Sequence, residues 1–330
     1  MSDAEADPAR PVRGALAGEG ERAKPFAIAG LQLALPAAGE SVPRMQQRLD
    51  YLMGMFPWVQ MVVFSELAAC GPSVRRAEPL PGPAERAFQQ MAAKHGIWLV
   101  NGSHFELHEG RTYNTASVID PAGIVVGRYR KLFPFRPYEQ HVEPGRDFLT
   151  FDVPEVGRFG VSICYDMWFP ETSRTLAALG AEVILHPSMT TTIDRDVELS
   201  IARATAAMNQ CWVIDINGAG EVGNGRSTVV GPSGDVLYQA GTAEELIPLE
   251  IDLARVRRER ERGLLGLGQL LKSFRDAPVE FPVYAGNGDA RAYLDSLGPI
   301  ERPHRSSPVG SPSAPGPSAQ GPSPHGAEKR

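Results

Sequence analysis

Three side chains of complementary chemistry stand at strand ends: Glu66 after the apolar "VVF", Lys131 after the hairpin arm "VVGRYR" and Cys164 after "VSI". A cysteine is only partly thiolate near neutral pH, its ordinary pKa being about 8.5, and it becomes an effective nucleophile when a neighbouring base or cation favours deprotonation. A glutamate can be that base. Attack on an amide carbonyl builds an oxyanion, which a lysine ammonium and the backbone N–H after the nucleophile, here that of Tyr165, can stabilise. The newly protonated glutamate is then placed to give its proton to the departing nitrogen. Taken singly, each residue also has a plain structural reading: a solvated loop acid, one more cation in "RYRK", and a small core hydrophobe.

For the three to act together, elements far apart in the chain must bring them to one rim. The strand candidates are "FAIAGLQLAL", "VQMVVFSEL", "GIWLVNGSHF", "GVSICYD", "EVILHPS" and "CWVIDING". Helical patterns such as "VPRMQQRLDYLMGMF", "PAERAFQQMAAKHG" and "DVELSIARATAAMNQ" lie between several of them, which implies an α/β fold. Two hairpins interrupt the alternation, "YNTASVIDPAGIVVGRYRK" and "GRSTVVGPSGDVLYQAG", each with a Pro-x-Gly turn between β-rich arms. Two mixed sheets facing each other, with helices outside, are the simplest way to bury so many apolar strands. Strand ends at a sheet rim are where α/β proteins gather their sites.

The chain of 330 residues is 42% hydrophobic, ample for a substantial core. With 33 basic and 39 acidic residues, a net charge of -6 and no long basic run, nucleic acid and anionic lipid are not expected partners; a small ligand is. Cys70, Cys164 and Cys211 are too few and too scattered for a disulfide framework or a CxxC metal signature, which suggests a cytoplasmic protein. His104 and His108 in "HFELH" could share a strand face, but no third ligand is near, so no metal or cofactor is expected. No signal-peptide pattern and no membrane-length apolar stretch is found. Residues 1–25 and the Pro/Ser/Gly-rich extension 286–330 read as largely disordered, leaving one domain over residues 26–285.

The segments "VVFSELAACG", "GRYRKLFPF" and "GVSICYDMWFPE" resemble the nitrilase (carbon-nitrogen hydrolase) superfamily, in which a Glu, a Lys and a Cys follow one another in that chain order. The resemblance covers roughly residues 26–285 and implies a four-layer αββα sandwich. It also implies a fourth site residue, Glu139, eight residues beyond the lysine as in aliphatic amidases and formamidases, which would orient the substrate amide and hold the lysine. A loop acid is the plain alternative. The segment "LLKSFRDAPVEFPVY" resembles one that relatives send across a subunit interface, so a homodimer or larger homo-oligomer is expected.

Cys164-Tyr165-Asp166 resembles the amidase-like branch, where nitrile-hydrolysing relatives read Cys-Trp-Glu; a small linear amide is therefore the expected substrate. Many relatives continue with arginines suited to a substrate carboxylate, whereas this chain has Met167 and Trp168. An aromatic face at Trp168 favours an apolar or cationic chain, or else simply fills the core. Asp194 and Asp196, in the loop after "HPSMTTT", could face a cationic tail or cap the helix that begins there. The expected substrate-contacting set is Tyr165, Trp168, His186, Asp194 and Asp196. Competing readings are an N-carbamoyl-amine hydrolase or nitrilase with the same three residues, a papain-like pair of Cys164 with His186, and a catalytically silent binding module of the same fold.

Overall fold

Successive side chains along a strand point to opposite faces, which decides the layer each one enters. The structure, a computed structural model, describes residues 25–286 and 288–302. The first half of the chain runs β1 (Phe26–Gln32), β2 (Ala34–Leu35), α1 (Val42–Met55), β3 (Met61–Phe64), α2 (Pro83–His95), β4 (Trp98–Val100), β5 (His104–His108), β6 (Arg111–Ile119) and β7 (Val125–Arg130). The second half continues with β8 (Leu149–Val153), β9 (Gly157–Val161), α3 (Pro170–Ala178), β10 (Val183–Ser188), α4 (Arg195–Asn209), β11 (Trp212–Asn217), β12 (Ala219–Gly220), β13 (Thr228–Val230), β14 (Val236–Gln239) and β15 (Glu245–Ile251). Helices α5 (Leu253–Arg262), α6 (Leu270–Asp276) and α7 (Gly288–Ser296) close it.

One sheet has the order β15-β1-β3-β4-β6-β5 with β7 also on β6; the other is β14-β13-β11-β10-β9-β8. Each has a parallel centre, β1-β3-β4 and β9-β10-β11, extended by antiparallel strands that include the two expected hairpins, β6–β7 and β13–β14. Inward residues Ile28, Met61, Val63, Phe159, Val161, Leu185 and Ile214 form the core between the sheets. Their neighbours face the other way: Ala29, Leu31, Val62 and Phe64 meet Leu49 of α1 and Phe88 of α2, and Ile184 and Val213 meet Leu176 of α3 and Ala202 of α4. This is the αββα sandwich expected. Gly30 leaves room for Ile216 of the facing sheet, since a Cβ there would lie 2.1 Å from Cδ1 of Ile216.

Two runs expected as single strands are broken. "FAIAGLQLAL" divides at Leu33, and "GIWLVNGSHF" divides between β4 and β5 because Gly102 takes φ +78°, where a Cβ would lie 1.8 Å from the Ser65 carbonyl oxygen. The turn at Gly102 thus packs directly beneath the segment that carries Glu66. Part of the C-terminal extension, expected to be largely disordered, is helical as α7, and Arg302 stacks over the Tyr138 ring with its guanidinium carbon 4.8 Å from the ring centre. The expected disorder of the two tails otherwise falls on residues 1–24 and 303–330, outside the described residues. No helix among the described residues is long and apolar enough to cross a membrane.

Candidate active site

Parallel strands deliver their C-terminal ends to one edge, and the two parallel centres share that edge: the Glu66 N–H, two residues past β3, donates to the Ser188 carbonyl at the end of β10 across 3.2 Å. β7 is antiparallel to β6, which is itself antiparallel to β4, so β7 also ends there and presents Lys131. The Lys131 Nζ donates to Glu66 Oε1 at 2.9 Å and to Glu139 Oε2 at 3.0 Å, and Asn114 Nδ2 of β6 donates to the same Glu66 oxygen at 2.8 Å. Glu66 and Lys131 are 2% and 1% exposed. Burial alone would lower the lysine pKa, but the charges of Glu66, Cys164 and Glu139 outweigh it and hold the ammonium well above its ordinary value.

Cys164 follows β9 and opens a 3-10 turn, Cys164–Trp168, with φ +46°. An L residue in the left-handed region carries strain of roughly 1–2 kcal/mol, a cost tolerated where surrounding contacts over-determine the backbone. The residue is partly exposed. Burial and then the Glu66 charge push its thiol well above the ordinary cysteine range, while Lys131 and the nearby Met189 backbone N–H pull the other way. The structure therefore brings Glu66, Lys131, Glu139 and Cys164 together, with a carboxylate and an ammonium acting on the thiol.

Of the expected substrate-contacting residues, Tyr165 and Trp168 stand in an aromatic wall beside the turn. The Tyr165 ring lies 5.0 Å from Phe135, 5.2 Å from Phe169 and 6.2 Å from Trp168, and Trp168 is partly exposed rather than buried beneath the site. For His186, Asp194 and Asp196 the placement differs from the expectation. His186, 3% exposed, sits under the turn with Nδ1 2.8 Å from the Ser162 hydroxyl, and burial lowers its pKa to about 4. It is a neutral ring bonded to Ser162, not a partner of the Cys164 thiol. Asp194 begins α4 without capping it through its side chain and accepts the Thr192 hydroxyl; exposed Asp196 pairs with Arg226 at 2.6 Å.

The acid of that region nearest the site is Glu198, which the sequence reading passed over. Its carboxylate accepts from Thr190 Oγ1 at 2.8 and 3.0 Å and from Arg195 Nη1 at 3.0 Å, and its charge acts on Cys164. Arg195, almost wholly buried, also pairs with Asp215 Oδ2 at 2.9 Å. Burial and Asp215 push the Glu198 pKa up and Arg195 draws it back. Asn114 and Asp166 were likewise missed as site residues, although Asp166 stood inside the quoted "CYDMWFPE".

His104 resembles His186 in being buried with a pKa near 4, lowered chiefly by desolvation. In the unfolded chain the imidazole protonates near pH 6.5, so between 6.5 and 4 the unfolded state binds more protons and stability falls as pH drops. Between pH 7 and pH 5 this group alone should remove roughly 2 kcal/mol of unfolding free energy. Urea titrations of His104→Gln should show a pH-dependent loss smaller than that of the parent by about that amount; equal losses would mean His104 charges within the fold.

A family model described as carbon-nitrogen hydrolase matches residues 31–261. The chain belongs to that family, in the amidase-like branch of the nitrilase superfamily, and is a hydrolase acting on carbon–nitrogen bonds. It is 34% identical over 202 residues to the human omega-amidase NIT2, a match spanning 56% of this chain and 72% of that protein. It is 35% identical over 189 residues to an (R)-stereoselective amidase of a Pseudomonas species, spanning 56% and 68%. Among solved structures, Saccharomyces cerevisiae Nit3 superposes with TM-score 0.66 at 27% identity over 72% of this chain and 93% of that one. A Helicobacter pylori carbon-nitrogen hydrolase superposes with TM-score 0.66 at 25% identity over 78% and 97%.

Proposed function

We propose that the protein is an amidase that hydrolyses a small linear carboxamide to carboxylate and ammonia through a thioester on Cys164, with neutral or cationic substrates preferred. The observation that carries this reading is the Lys131 ammonium held by Glu66 and Glu139 beside the Cys164 thiol. Glu66 takes the thiol proton as sulfur bonds to the amide carbon, and the carbonyl electron pair moves to oxygen, where Lys131 and the Tyr165 N–H meet the developing charge. Collapse breaks the C–N bond, and Glu66 returns its proton to the leaving nitrogen. Water, deprotonated by Glu66, then attacks the thioester and restores the thiol. Glu139 keeps the ammonium in place and faces the substrate amide.

Fixed charge supports the substrate preference. Lys131 is held between Glu66 and Glu139, and Arg195 between Glu198 and Asp215, so four carboxylates surround two cations. Arg136 donates to the carbonyl oxygens of Glu139 and Val142. A cation over Trp168 gains about 0.5–1 kcal/mol when exposed and about 2 when desolvated, or roughly 2-fold to 30-fold in discrimination. In assays of ammonia release, kcat/KM should be lower for succinamate, a monoamide with a free carboxylate, than for butyramide or 4-guanidinobutyramide. Faster turnover of succinamate would reverse the charge argument. It would favour an omega-amide of a dicarboxylic acid, with Arg136 as the cation to test next.

A further inference from the structure

One buried carboxylate ties together the two segments on which the proposed chemistry depends. Asp166, 0% exposed, accepts from the Tyr129 hydroxyl at 2.7 Å and the Ile163 N–H at 2.9 Å on Oδ2, and from the Phe133 N–H at 2.8 Å on Oδ1. Tyr129 and Phe133 stand two residues to either side of Lys131, and Ile163 immediately precedes Cys164. The Lys131 segment is thus held on both flanks by the same group that holds the entry to the left-handed turn at Cys164. Tyr129 and Phe133 are 37 and 33 residues from Asp166 in sequence, so these bonds fix tertiary register rather than local turn geometry.

We propose that Asp166 is a positioning residue that sets the Lys131 ammonium and the Cys164 thiol in register, acting through those two residues and touching no substrate. The inference deepens the amidase reading and rests on it for its kinetic consequence. Asparagine is nearly isosteric but has one acceptor oxygen. Turned one way its amide N–H faces the Phe133 N–H, and turned the other way it faces the Ile163 N–H, so one of the two segments is released. Phenylalanine at Tyr129 instead removes only the hydroxyl and leaves both backbone bonds in place.

The test compares Asp166→Asn and Tyr129→Phe in full-length protein, by amide kinetics and by the pH dependence of Cys164 alkylation with iodoacetamide. Asp166→Asn should lose about 10-fold to 100-fold in kcat with KM within about threefold. Tyr129→Phe, which frees one flank of the Lys131 segment and keeps both backbone bonds, should lose less kcat than Asp166→Asn, with KM within about threefold of the parent. The groups acting on the thiol are Glu66 and Glu198, which raise its pKa, and Lys131, which lowers it. A displaced Lys131 should therefore move the alkylation midpoint up in Asp166→Asn, whereas mere removal of a negative charge would move it down. Unchanged kcat, a midpoint that stays or falls, or an equal kcat loss in Tyr129→Phe would overturn the proposal. If Asp166→Asn does not fold, Asp166→Glu carries the test: its extra methylene shifts Phe133 against Ile163, the same loss is expected, and parent-like kcat overturns it. Should the parent hydrolyse no amide while the midpoint still rises, the amidase reading fails and the positioning role stands.

Discussion

Glu66→Gln and Lys131→Ala should each lower amide kcat/KM on the order of 10⁴-fold, and the double variant should be scarcely worse than the poorer single. The expectation follows from one shared oxygen: Glu66 Oε1 accepts from Lys131 Nζ and from Asn114 Nδ2, so the base and the cation define each other's position. Without the ammonium, buried Glu66 and partly exposed Glu139 face each other as negative charges; without the Glu66 carboxylate, the ammonium keeps Glu139 as its one salt-bridge partner. Removing one member of a buried ion pair costs about 3–5 kcal/mol of stability, so Lys131→Ala must be checked for folding by circular dichroism and urea titration. Glu66→Gln keeps shape and the Asn114 contact and is the cleaner kinetic probe. A double loss equal to the product of the single losses would mean independent roles.

The residues at strand ends were legible in the sequence because an apolar run states where the strands before Glu66 and Cys164 stop, and the Pro-x-Gly turn between β6 and β7 marks the hairpin arm that leads to Lys131. The two facing sheets were legible for a related reason: β1, β3, β10 and β11 are apolar on both faces, which requires cover on both sides. What stayed hidden depends on partners far away in the chain. Arg195 stands between Asp194 and Asp196 in sequence, yet it is the largest fully buried side chain among the described residues, because Asp215 on β11 and Glu198 one turn along α4 meet it. Asp166 lay inside a quoted motif, but nothing near it in sequence announces Tyr129 or Phe133. His186, expected to contact substrate or to pair with Cys164, instead bonds the hydroxyl of Ser162, two residues before Cys164. The strand break at Leu33 was hidden because hydrophobicity continues through it, whereas at Gly102 the polar Asn101-Gly102-Ser103 did carry a turn signal inside the run expected as one strand.

Cys164→Ala should abolish ammonia release, a loss on the order of 10⁶-fold, while leaving the fold intact. The small side chain accepts the left-handed backbone about as well as cysteine does, and the site keeps its Glu66–Lys131–Glu139 pairs. Turnover in hydroxylamine should yield a hydroxamate from the parent, by capture of the thioester, and none from the alanine variant. Thiol acidity gives a separate check on which group is the base. Because the Glu66 charge raises the Cys164 pKa, Glu66→Gln should move the alkylation midpoint of Cys164 down and make the thiolate more available at neutral pH. Turnover should nonetheless be lost, since the group that carries the proton from sulfur to the leaving nitrogen is gone. Alkylation should report Cys164 first: Cys211 is buried, with its thiol pushed up to about 12, and burial raises Cys70 as well. Ammonia release surviving in Cys164→Ala, or a Glu66→Gln variant as active as the parent, would leave the thioester route without its nucleophile or its base.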